Sequence, residues 1–307
     1  MNEKTGPRSL REKLREQPGE PRLIVAPGAY DCITARAVQH AGAAAVYMTG
    51  AGTAAALGYP DYGLLTLTEM AENAGRIAAS VDLPVIADAD TGYGNELNTV
   101  RTVREFERRG VAAIHLEDQA FPKKCGHLDD KVLVSMDDFV AKIRAAVAAR
   151  SDPHFMLIAR TDARAVLGFE QAIHRANAAL AAGADMAFVE APETVEEIRA
   201  IPRLVRGPCM LNMVWGGKTP DMPFSEVESA GYRLAILPLM LIGAAVAACD
   251  RALEAMKEHG RHPSLGDTTV RQTFSRFGAD EWDHVRDALR EDALRSEEPI
   301  PPTERKV

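Results

Sequence analysis

Short apolar runs alternate with amphipathic helical windows along this chain, and the alternation restricts the possible folds more than any other feature. Each apolar run is followed by a helical window. The runs begin at Leu23, Ala44, Pro84, Ala112, Phe155, Met186, Cys209 and Arg233. Strands that are apolar almost throughout are buried on both faces, as in parallel sheets covered by helices. The repeat predicts an α/β protein, a (β/α)8 TIM-type barrel with a C-terminal helical extension.

A doubly wound sheet is the competing α/β fold. No G-x-G-x-x-G fingerprint follows a predicted strand, which argues against a dinucleotide site. We expect a polar N-terminal segment over residues 1–22, the barrel over residues 23–262 and the helical extension over residues 263–295. Residues 296–307 are rich in Glu and Pro and are predicted to form a disordered tail.

Composition and charge limit the partners of the chain. Its 307 residues are 46% hydrophobic and 26% charged, which is typical of a globular protein. The net charge of -8 argues against nucleic acid or an anionic membrane as a partner. Residues 1–22 lack the apolar core of a signal peptide, and no stretch is long and apolar enough for a membrane span. The widely spaced cysteines, without a C-x-x-C pair, predict reduced thiols and a cytoplasmic protein.

Polar side chains stand at the carboxyl ends of successive predicted strands. They are Asp88, Glu117, Arg160, Glu190 and Asn212. In a barrel these strand ends form one rim, which is where barrel active sites lie. Ordinary loop polarity is the alternative, but it gives no reason for equivalent positions to be polar on strand after strand. The pattern predicts one site at this rim.

Carboxylates are concentrated at two of these strand ends. Asp88 and Asp90 close one apolar run, and Glu117 closes the next. Hard oxygen ligands suit Mg2+ or Mn2+. A pair of aspartates on a loop could instead cap a helix. Their position directly after a strand, beside another acidic strand end, favours the metal.

The segment Lys123-Lys-Cys-Gly-His is too polar to be part of the core. It places the Cys125 thiol beside two cations and the imidazole of His127, which favours a chemical role for that thiol. Cys32, Cys209 and Cys249 stand in apolar surroundings, where an inert small side chain is the better interpretation.

The chain from Leu23 to about Leu265 resembles the isocitrate lyase/phosphoenolpyruvate mutase superfamily. The most specific segments are Asp88-Ala-Asp-Thr-Gly-Tyr-Gly, Glu117-Asp-Gln and Lys123-Lys-Cys-Gly-His. The last is similar to the gating loop of the lyase branches, such as the 2-methylisocitrate and 2,3-dimethylmalate lyases, whereas phosphoenolpyruvate mutases carry no Cys there.

The resemblance implies a Mg2+ site, with Mn2+ as a possible substitute. Asp88 and Asp90 would hold the ion, partly through water, and Asp61 and Glu117 would hold metal-bound waters. The resemblance also implies a set of substrate-binding residues. They are Thr49, Gly50, Ala51, Gly126, Arg160, Glu190, Asn212 and Trp215. The family more often has Ser-Gly-Gly than Thr49-Gly-Ala, which is a mild departure.

The implied reaction is a reverse aldol cleavage of a 2-hydroxy dicarboxylate to a 2-oxo acid, such as pyruvate, and a carboxylic acid. The catalytic residues implied are Cys125, Tyr47, Lys123 and His127. Cys125 would protonate the carbanion, and Lys123 and His127 would lower the pKa of its thiol. Tyr47 would lie near the substrate hydroxyl, although a buried Tyr satisfied by a backbone carbonyl is an alternative.

Two departures from the family bear on the substrate. Methylisocitrate lyases carry an Arg in the helix after the last strand, whereas this chain has Pro238-Leu-Met-Leu-Ile-Gly-Ala, without a cation. Trp215 stands where related lyases often have an acid. Both changes favour an alkyl-substituted malate over a tricarboxylate, whose third charge would be unpaired. Loop packing remains an equal interpretation of Trp215.

An apolar stripe follows the barrel, comprising Phe274, Phe277, Trp282, Val285 and Leu289. The resemblance implies helices exchanged between subunits of a homo-oligomer, a dimer of dimers; packing on its own barrel is the alternative. Three other functions remain open. They are an oxaloacetate-cleaving or phosphonate-forming member of the superfamily, a Schiff-base aldolase, and a barrel without catalysis that binds a partner.

Overall fold

The computed structural model describes residues 6–14, 23–264, 266 and 268–296. The chain divides into two compact units, Met1–Ala248 and Cys249–Val307. The predicted disordered tail lies, apart from Ser296, outside the described residues. The domain boundaries expected from the sequence stay predictions.

Eight parallel strands close into a barrel in sequence order, which confirms the predicted (β/α)8 fold. The strands are β1 (Ile24–Ala29), β2 (Val46–Met48), β3 (Val85–Asp88), β4 (Ala113–Glu117), β5 (Met156–Thr161), β6 (Met186–Val189), β7 (Cys209–Asn212) and β8 (Leu234–Leu237). Every residue of β3 to β7 is buried, as their nearly continuous apolar runs predicted.

The described helices alternate with the strands and continue after the last one. They are α1 (Pro7–Leu14), α2 (Cys32–His40), α3 (Gly50–Ala56), α4 (Leu67–Ser80), α5 (Glu96–Arg108), α6 (Met136–Ala149), α7 (Ala163–Leu167), α8 (Phe169–Ala181), α9 (Val195–Leu204), α10 (Phe224–Ala230), α11 (Met240–His259), α12 (Val270–Ser275) and α13 (Ala279–Ser296). Side-chain caps fix several starting points; Asp31, for example, forms a capping box with Thr34 at the start of α2.

Helices α1 and α3 are among those that the sequence did not indicate. The polar segment 1–22 contains α1, whose Leu10 is fully buried. The small-residue stretch after β2, interpreted as a loop, begins with α3. Both are short and carry little periodic signal, since α3 is built from Gly, Ala and Thr alone.

Helix α1 contributes to the interior of the barrel. Leu10 clusters with Ile24, Met156, Met186 and Leu234, which are the first residues of their strands. The helix therefore packs at the amino-terminal end of the barrel, away from the predicted site at the carboxyl ends.

Strand register brings the predicted polar residues to one level. Asp88 pairs with His115, Glu117 with Arg160, and Arg160 with Phe188. Neighbouring strands therefore present these side chains at the same end of the barrel. This alignment is the structural basis of the site described below.

The second unit carries exposed apolar side chains. In the predicted stripe, Phe274, Trp282, Val285 and Leu289 are exposed and Phe277 is partly buried. Among the described residues, no helix has the length and apolar character needed to cross a membrane.

We expect Leu10→Ala to lower the free energy of unfolding by about 2–5 kcal/mol, because the substitution leaves a cavity at the end of the barrel interior. Urea unfolding followed by circular dichroism measures the loss. Arg8→Ala on the same helix, which removes only the exposed Arg8–Glu12 pair, is the control. Equal midpoints for Leu10→Ala and Arg8→Ala would show that α1 does not support the barrel.

Candidate active site

A small chamber opens at the carboxyl end of the barrel. Its volume is about 40 Å3. Most predicted site residues line it: Tyr47, Thr49, Ala51, Asp61, Asp88, Cys125, Gly126, His127, Arg160, Glu190 and Asn212. Gly50, Asp90, Glu117 and Lys123 adjoin these residues without lining the chamber. Trp215 is the exception, as described below.

The Lys123 ammonium lies within the carboxylate cluster. Its Nζ is 2.5 Å from Asp61 Oδ1 and 2.9 Å from Asp90 Oδ1, and the lysine side chain is almost completely buried. Burial raises the pKa of Asp90 to about 6; Lys123 opposes the rise, and Asp88 and Asp61 add to it. Acids crowded in this way favour binding of a cation.

Glu117 is the most isolated of the acids. It is fully buried, and neither carboxylate oxygen accepts a hydrogen bond, although Oε2 lies 3.3 Å from Arg160 Nε. Burial raises its pKa well above the usual value. A buried carboxylate without hydrogen bonds is costly unless a cation or its bound water satisfies it. The site therefore fits a hard divalent ion.

Tyr47, His115 and Asp88 form a buried polar group. Tyr47 Oη lies 2.9 Å from His115 Nε2 and 3.4 Å from Asp88 Oδ2. Burial lowers the pKa of His115 to about 4, against the opposing effect of Asp88, so the imidazole is neutral at neutral pH. The Tyr47 hydroxyl thus has a histidine neighbour rather than the backbone carbonyl considered from the sequence.

Arg160 is held by acids at the centre of the rim. Its Nε and Nη2 donate to the two oxygens of Asp162 at 2.9 and 3.1 Å. Glu190 Oε1 lies 3.7 Å from Nη2, and the guanidinium stands 5.2 Å from the centre of the Phe188 ring. The bidentate pair fixes the plane of the guanidinium, which is suited to a carboxylate ligand.

His127 is oriented by a neighbouring loop. The backbone N–H of Lys218 donates to His127 Nδ1 at 3.0 Å. Burial lowers the pKa of this imidazole, so the neutral ring carries its proton on Nε2. That atom lies 3.5 Å from Glu190 Oε1, and Asn212 Nδ2 donates to the same carboxylate at 3.1 and 3.2 Å.

The Cys125 thiol is held neutral, contrary to the expectation that its cationic neighbours would favour the thiolate. Burial raises its pKa to about 11, and Asp61 and Glu190 add to the effect. Lys123 does not counter this rise, because its ammonium is bound to Asp61 and Asp90. A neutral thiol suits proton donation better than nucleophilic attack.

The segment Thr49-Gly50-Ala51 begins α3, and its tight packing explains the glycine. A Cβ on Gly50 would meet the carboxylate of Asp88, with Cγ 2.8 Å away. Thr49 caps the helix by accepting from the Gly52 N–H at 3.2 Å. The backbone of this segment therefore approaches Asp88 directly.

Trp215 is not brought to the chamber. Its side chain is 89% exposed and lines an adjoining groove of about 1200 Å3, which shares Val214 and Leu239 with the chamber. The predicted contact with substrate stays a prediction. The residue lies on a loop whose backbone, at Lys218, turns toward the site instead.

Three further residues were missed by the sequence analysis. His115 contacts Tyr47, Asp162 binds Arg160, and Asp118 accepts from the Asp162 N–H at 2.8 Å. The interruption of an apolar strand by His115 was a usable signal. Asp118 directly follows Glu117, and Asp162 lies two positions after Arg160. Polar residues just after a strand end are common in loops, so neither position gave a distinct signal.

The mouth of the barrel combines buried acids, an arginine and a neutral thiol, as in an enzyme active site. Comparisons with known proteins identify the class of enzyme. Residues 10–257 match the phosphoenolpyruvate phosphomutase family. The chain belongs to this family.

Similar proteins include lyases of known name. A 2,3-dimethylmalate lyase of Eubacterium barkeri is 47% identical over 266 residues, which cover 86% of this chain and 91% of that protein. A 2-methylisocitrate lyase of Aeropyrum pernix is 44% identical over 260 residues, covering 85% and 84%. The predicted superfamily and the predicted enzyme class, a carbon–carbon lyase, are confirmed.

Solved structures agree with these relatives. A crystal structure of 2,3-dimethylmalate lyase has a TM-score of 0.87 and 42% identity, covering 93% of this chain and 95% of that one. A phosphonopyruvate hydrolase crystallised with oxalate and Mg2+ has a TM-score of 0.82 and 30% identity, covering 92% and 98%.

We expect Cys125 to react with iodoacetamide about tenfold faster per pH unit up to about pH 11, because only the thiolate reacts and its pKa is raised. Peptide mass spectrometry of the EDTA-treated protein measures the rate. Free N-acetylcysteine, with an ordinary thiol pKa near 8.5, is the reference and levels off earlier. A Cys125 rate that levels off below pH 9 would contradict the buried neutral thiol.

We expect Gly126→Ala to lower turnover by about tenfold or more, since a tightly packed position does not accept an added methyl group without displacement. A Cβ there would lie 2.5 Å from both Arg160 Nη2 and Glu190 Cγ. Steady-state kinetics and thermal unfolding measure the two effects separately. Gly243→Ala, where a Cβ meets no atom within 4 Å and φ is likewise not positive, is the matched control. Wild-type turnover of Gly126→Ala would show that the loop need not pack this closely.

Proposed function

We propose that the protein is a Mg2+-dependent carbon–carbon lyase that cleaves a 2-hydroxy dicarboxylate of the alkylmalate type. The products are a 2-oxo acid, such as pyruvate, and a carboxylic acid. The observation that carries the proposal is the arrangement of the neutral Cys125 thiol, Arg160 and the acids around Asp88 about one chamber. A retro-aldol lyase needs these three parts: a proton donor, a carboxylate-binding cation and an ion site.

The ion would be held by Asp88 and Asp90, with Asp61 and Glu117 holding its waters. Among the described residues, no three His, Cys, Asp or Glu side chains are placed to ligate one ion directly, so water would complete its coordination. Bound Mg2+ would supply Lewis-acid polarisation of the substrate hydroxyl and carboxylate. The unsatisfied oxygens of Glu117 support this assignment.

The protein's own residues divide the remaining work. Arg160 binds a substrate carboxylate, and the Tyr47 hydroxyl orients the 2-hydroxyl group. The 2-hydroxyl passes its proton through Tyr47 Oη to the neutral His115 imidazole, whose Nε2 lies 2.9 Å from that oxygen, and the C2–C3 electron pair passes to the departing fragment, which leaves a 2-oxo acid. The Cys125 thiol then donates its proton to that carbon. Lys123 and His127 hold the loop and the Glu190 carboxylate in place around the reacting atoms.

The lining of the chamber favours an alkyl substituent over a third carboxylate. Val214, Ile236, Pro238 and Leu239 form its apolar part. Of the lining residues, all within the described part of the chain, Arg160 is the permanent cation. A third carboxylate would therefore be desolvated without a partner, which is costly.

We also propose that the chain forms a homo-oligomer, a dimer of dimers, through the exposed apolar side chains of its second unit. Phe274, Trp282 and Leu289 are each more than half exposed there. Apolar patches of this kind favour protein contacts over water. The cytoplasmic location stays a prediction from the free thiols.

The test is release of 2-oxo acid from a panel of 2,3-dimethylmalate, other alkylmalates, 2-methylisocitrate, isocitrate and oxaloacetate, with Mg2+ or with EDTA. We expect release from an alkylmalate that requires Mg2+ and falls about 10^2-fold or more in Cys125→Ser. Cys249→Ser, at an exposed cysteine, is the matched control and should match the wild type.

Other outcomes would redirect the assignment. Rapid cleavage of 2-methylisocitrate would show that the apolar lining does not exclude a third carboxylate. Cleavage of oxaloacetate alone, unaffected by Cys125→Ser, would favour the oxaloacetate-cleaving members of the superfamily. Turnover that survives EDTA but not borohydride would revive the Schiff-base aldolase, and no turnover at all would favour a binding protein.

A further inference from the structure

The loop between β4 and α6 carries the Cys125 thiol, and its base is closed by backbone contacts. Gln119 and Leu133 form an isolated bridge, and the Ala120 N–H donates to the Val132 carbonyl at 2.7 Å. The residues between them, 121–131, form an excursion that is here called the thiol loop. The bridge lies at the base of the loop, so the tip at Gly126 needs further contacts to stay against the chamber.

Lys131 makes one of these contacts from inside the loop. Its Nζ donates to the carbonyl oxygen of Gly126, which follows Cys125, and lies 3.4 Å from Asp162 Oδ1. The Lys131 side chain is 1% exposed. Lysine is almost never buried to this degree unless its charge is paired, so this position indicates a specific role.

Asp162 links this lysine to the substrate side of the chamber. The same carboxylate holds Arg160 through both of its oxygens, and its own N–H donates to Asp118. Asp162 is fully buried, so its charge depends on the two cations beside it. The position of the thiol loop and the orientation of Arg160 therefore share one carboxylate.

We propose that Lys131 is a positioning residue that holds the thiol loop closed over the chamber by joining the Gly126 carbonyl to Asp162. The role of Lys131 in catalysis rests on the proposed function. The test of its role in loop closure needs no substrate and does not. The proton donor at Cys125 and the carboxylate-binding Arg160 are thereby fixed to the same buried group.

Loss of the Lys131 ammonium has an asymmetric effect on the loop. The Gly126 carbonyl would lose its buried donor, and the cheapest way to satisfy it is exposure to water. Asp162 would keep the Arg160 guanidinium and therefore stay folded in place. The loop, rather than strand β5, is the part that should move.

Two other lysines also hold the thiol loop, and they differ from Lys131. Lys123 binds Asp61 and Asp90, in the proposed metal cluster. Lys218 Nζ is 2.6 Å from Asp129 Oδ1, but that aspartate is 82% exposed. Exposed pairs contribute little in water. Each of these contacts shifts the equilibrium of the thiol loop toward the closed state. Removal of one contact therefore raises the fraction of open loop even when the other contacts remain.

The experiment measures access to Cys125 without substrate. The EDTA-treated protein is alkylated with iodoacetamide at pH 8, and the Cys125 peptide is quantified by mass spectrometry over time. We expect Lys131→Met to react about tenfold or more faster than the wild type, which matches the loss of one buried charged hydrogen bond. Its thermal unfolding midpoint should stay close to that of the wild type.

Lys218→Met is the matched control, because it removes a lysine tie to the same loop at an exposed pair. We expect its alkylation rate to stay within about twofold of the wild type. Equal acceleration of alkylation in Lys131→Met and Lys218→Met would overturn the proposal, because the buried Lys131 contact would then hold the loop no better than the exposed Lys218 pair. An unchanged rate in Lys131→Met would overturn it directly.

Lys131→Gln guards against a folding defect in the first variant. Its amide can still donate to Asp162, but it is too short and uncharged to hold the loop tip as well. The positioning role is supported if Lys131→Met or Lys131→Gln keeps the wild-type unfolding midpoint and its Cys125 is alkylated faster. Loss of folding in both variants would make Lys131 a folding residue and overturn the proposal.

The same variants separate this inference from the proposed function. If the wild type cleaves an alkylmalate and Lys131→Met shows both faster alkylation and a lower kcat, both hold. If no substrate is cleaved but alkylation accelerates, the loop inference stands and the function fails. If cleavage occurs and alkylation is unchanged, the function stands and the loop inference fails.

Discussion

The charge balance around Arg160 is the interaction on which the barrel mouth depends. One guanidinium lies within 3.7 Å of carboxylate oxygens from Asp162, Glu117 and Glu190, and all three acids are buried. Uncompensated carboxylates in such a place would cost several kcal/mol each. Strand register supplies this balance, because β4, β5 and β6 bring the residues to one level. The fold thus determines the electrostatics before any ligand enters.

Loop closure completes the balance. When the thiol loop lies against the barrel, it carries the Lys123 ammonium into the carboxylate cluster and the Cys125 thiol to the chamber. A cation and a proton donor therefore arrive on the same segment of chain. The dry surroundings that keep the thiol neutral depend on that closure. The acid needed by the proposed chemistry is a property of the closed loop rather than of cysteine alone.

The sequence was sufficient to predict the barrel and most of the chamber, because both follow from periodic features. Apolar runs ending in polar residues located the strand ends, and a barrel brings such ends together whatever the loops do. Side-chain direction was not accessible in the same way. Trp215 and Cys125 are both loop residues, and only the path of the loop decides that one is exposed and the other partly buried.

Long-range partners account for the other failures. The pKa of Cys125 was expected to fall because of adjacent lysines, but Lys123 pairs with Asp61, more than sixty positions earlier in the chain. The partner of Lys131 is likewise distant, because Asp162 lies thirty-one positions later in the chain. Helix α1 has only Leu10 and Leu14 as its apolar face, and eight residues are too short a window for periodicity to be detected. Each of these depends on a contact that local sequence does not encode.

The closed chamber has a consequence for speed. Its volume of about 40 Å3 is smaller than that of the clefts of about 300–1,000 Å3 that hold most small-molecule ligands. In the proposed function, movement of the thiol loop would widen the chamber for reactants and products. Lid motions of this kind take place on microsecond to millisecond timescales and often limit turnover in enzymes. If such widening is required, one barrel converts no more molecules each second than the number of times its thiol loop opens, whatever the rate of bond cleavage.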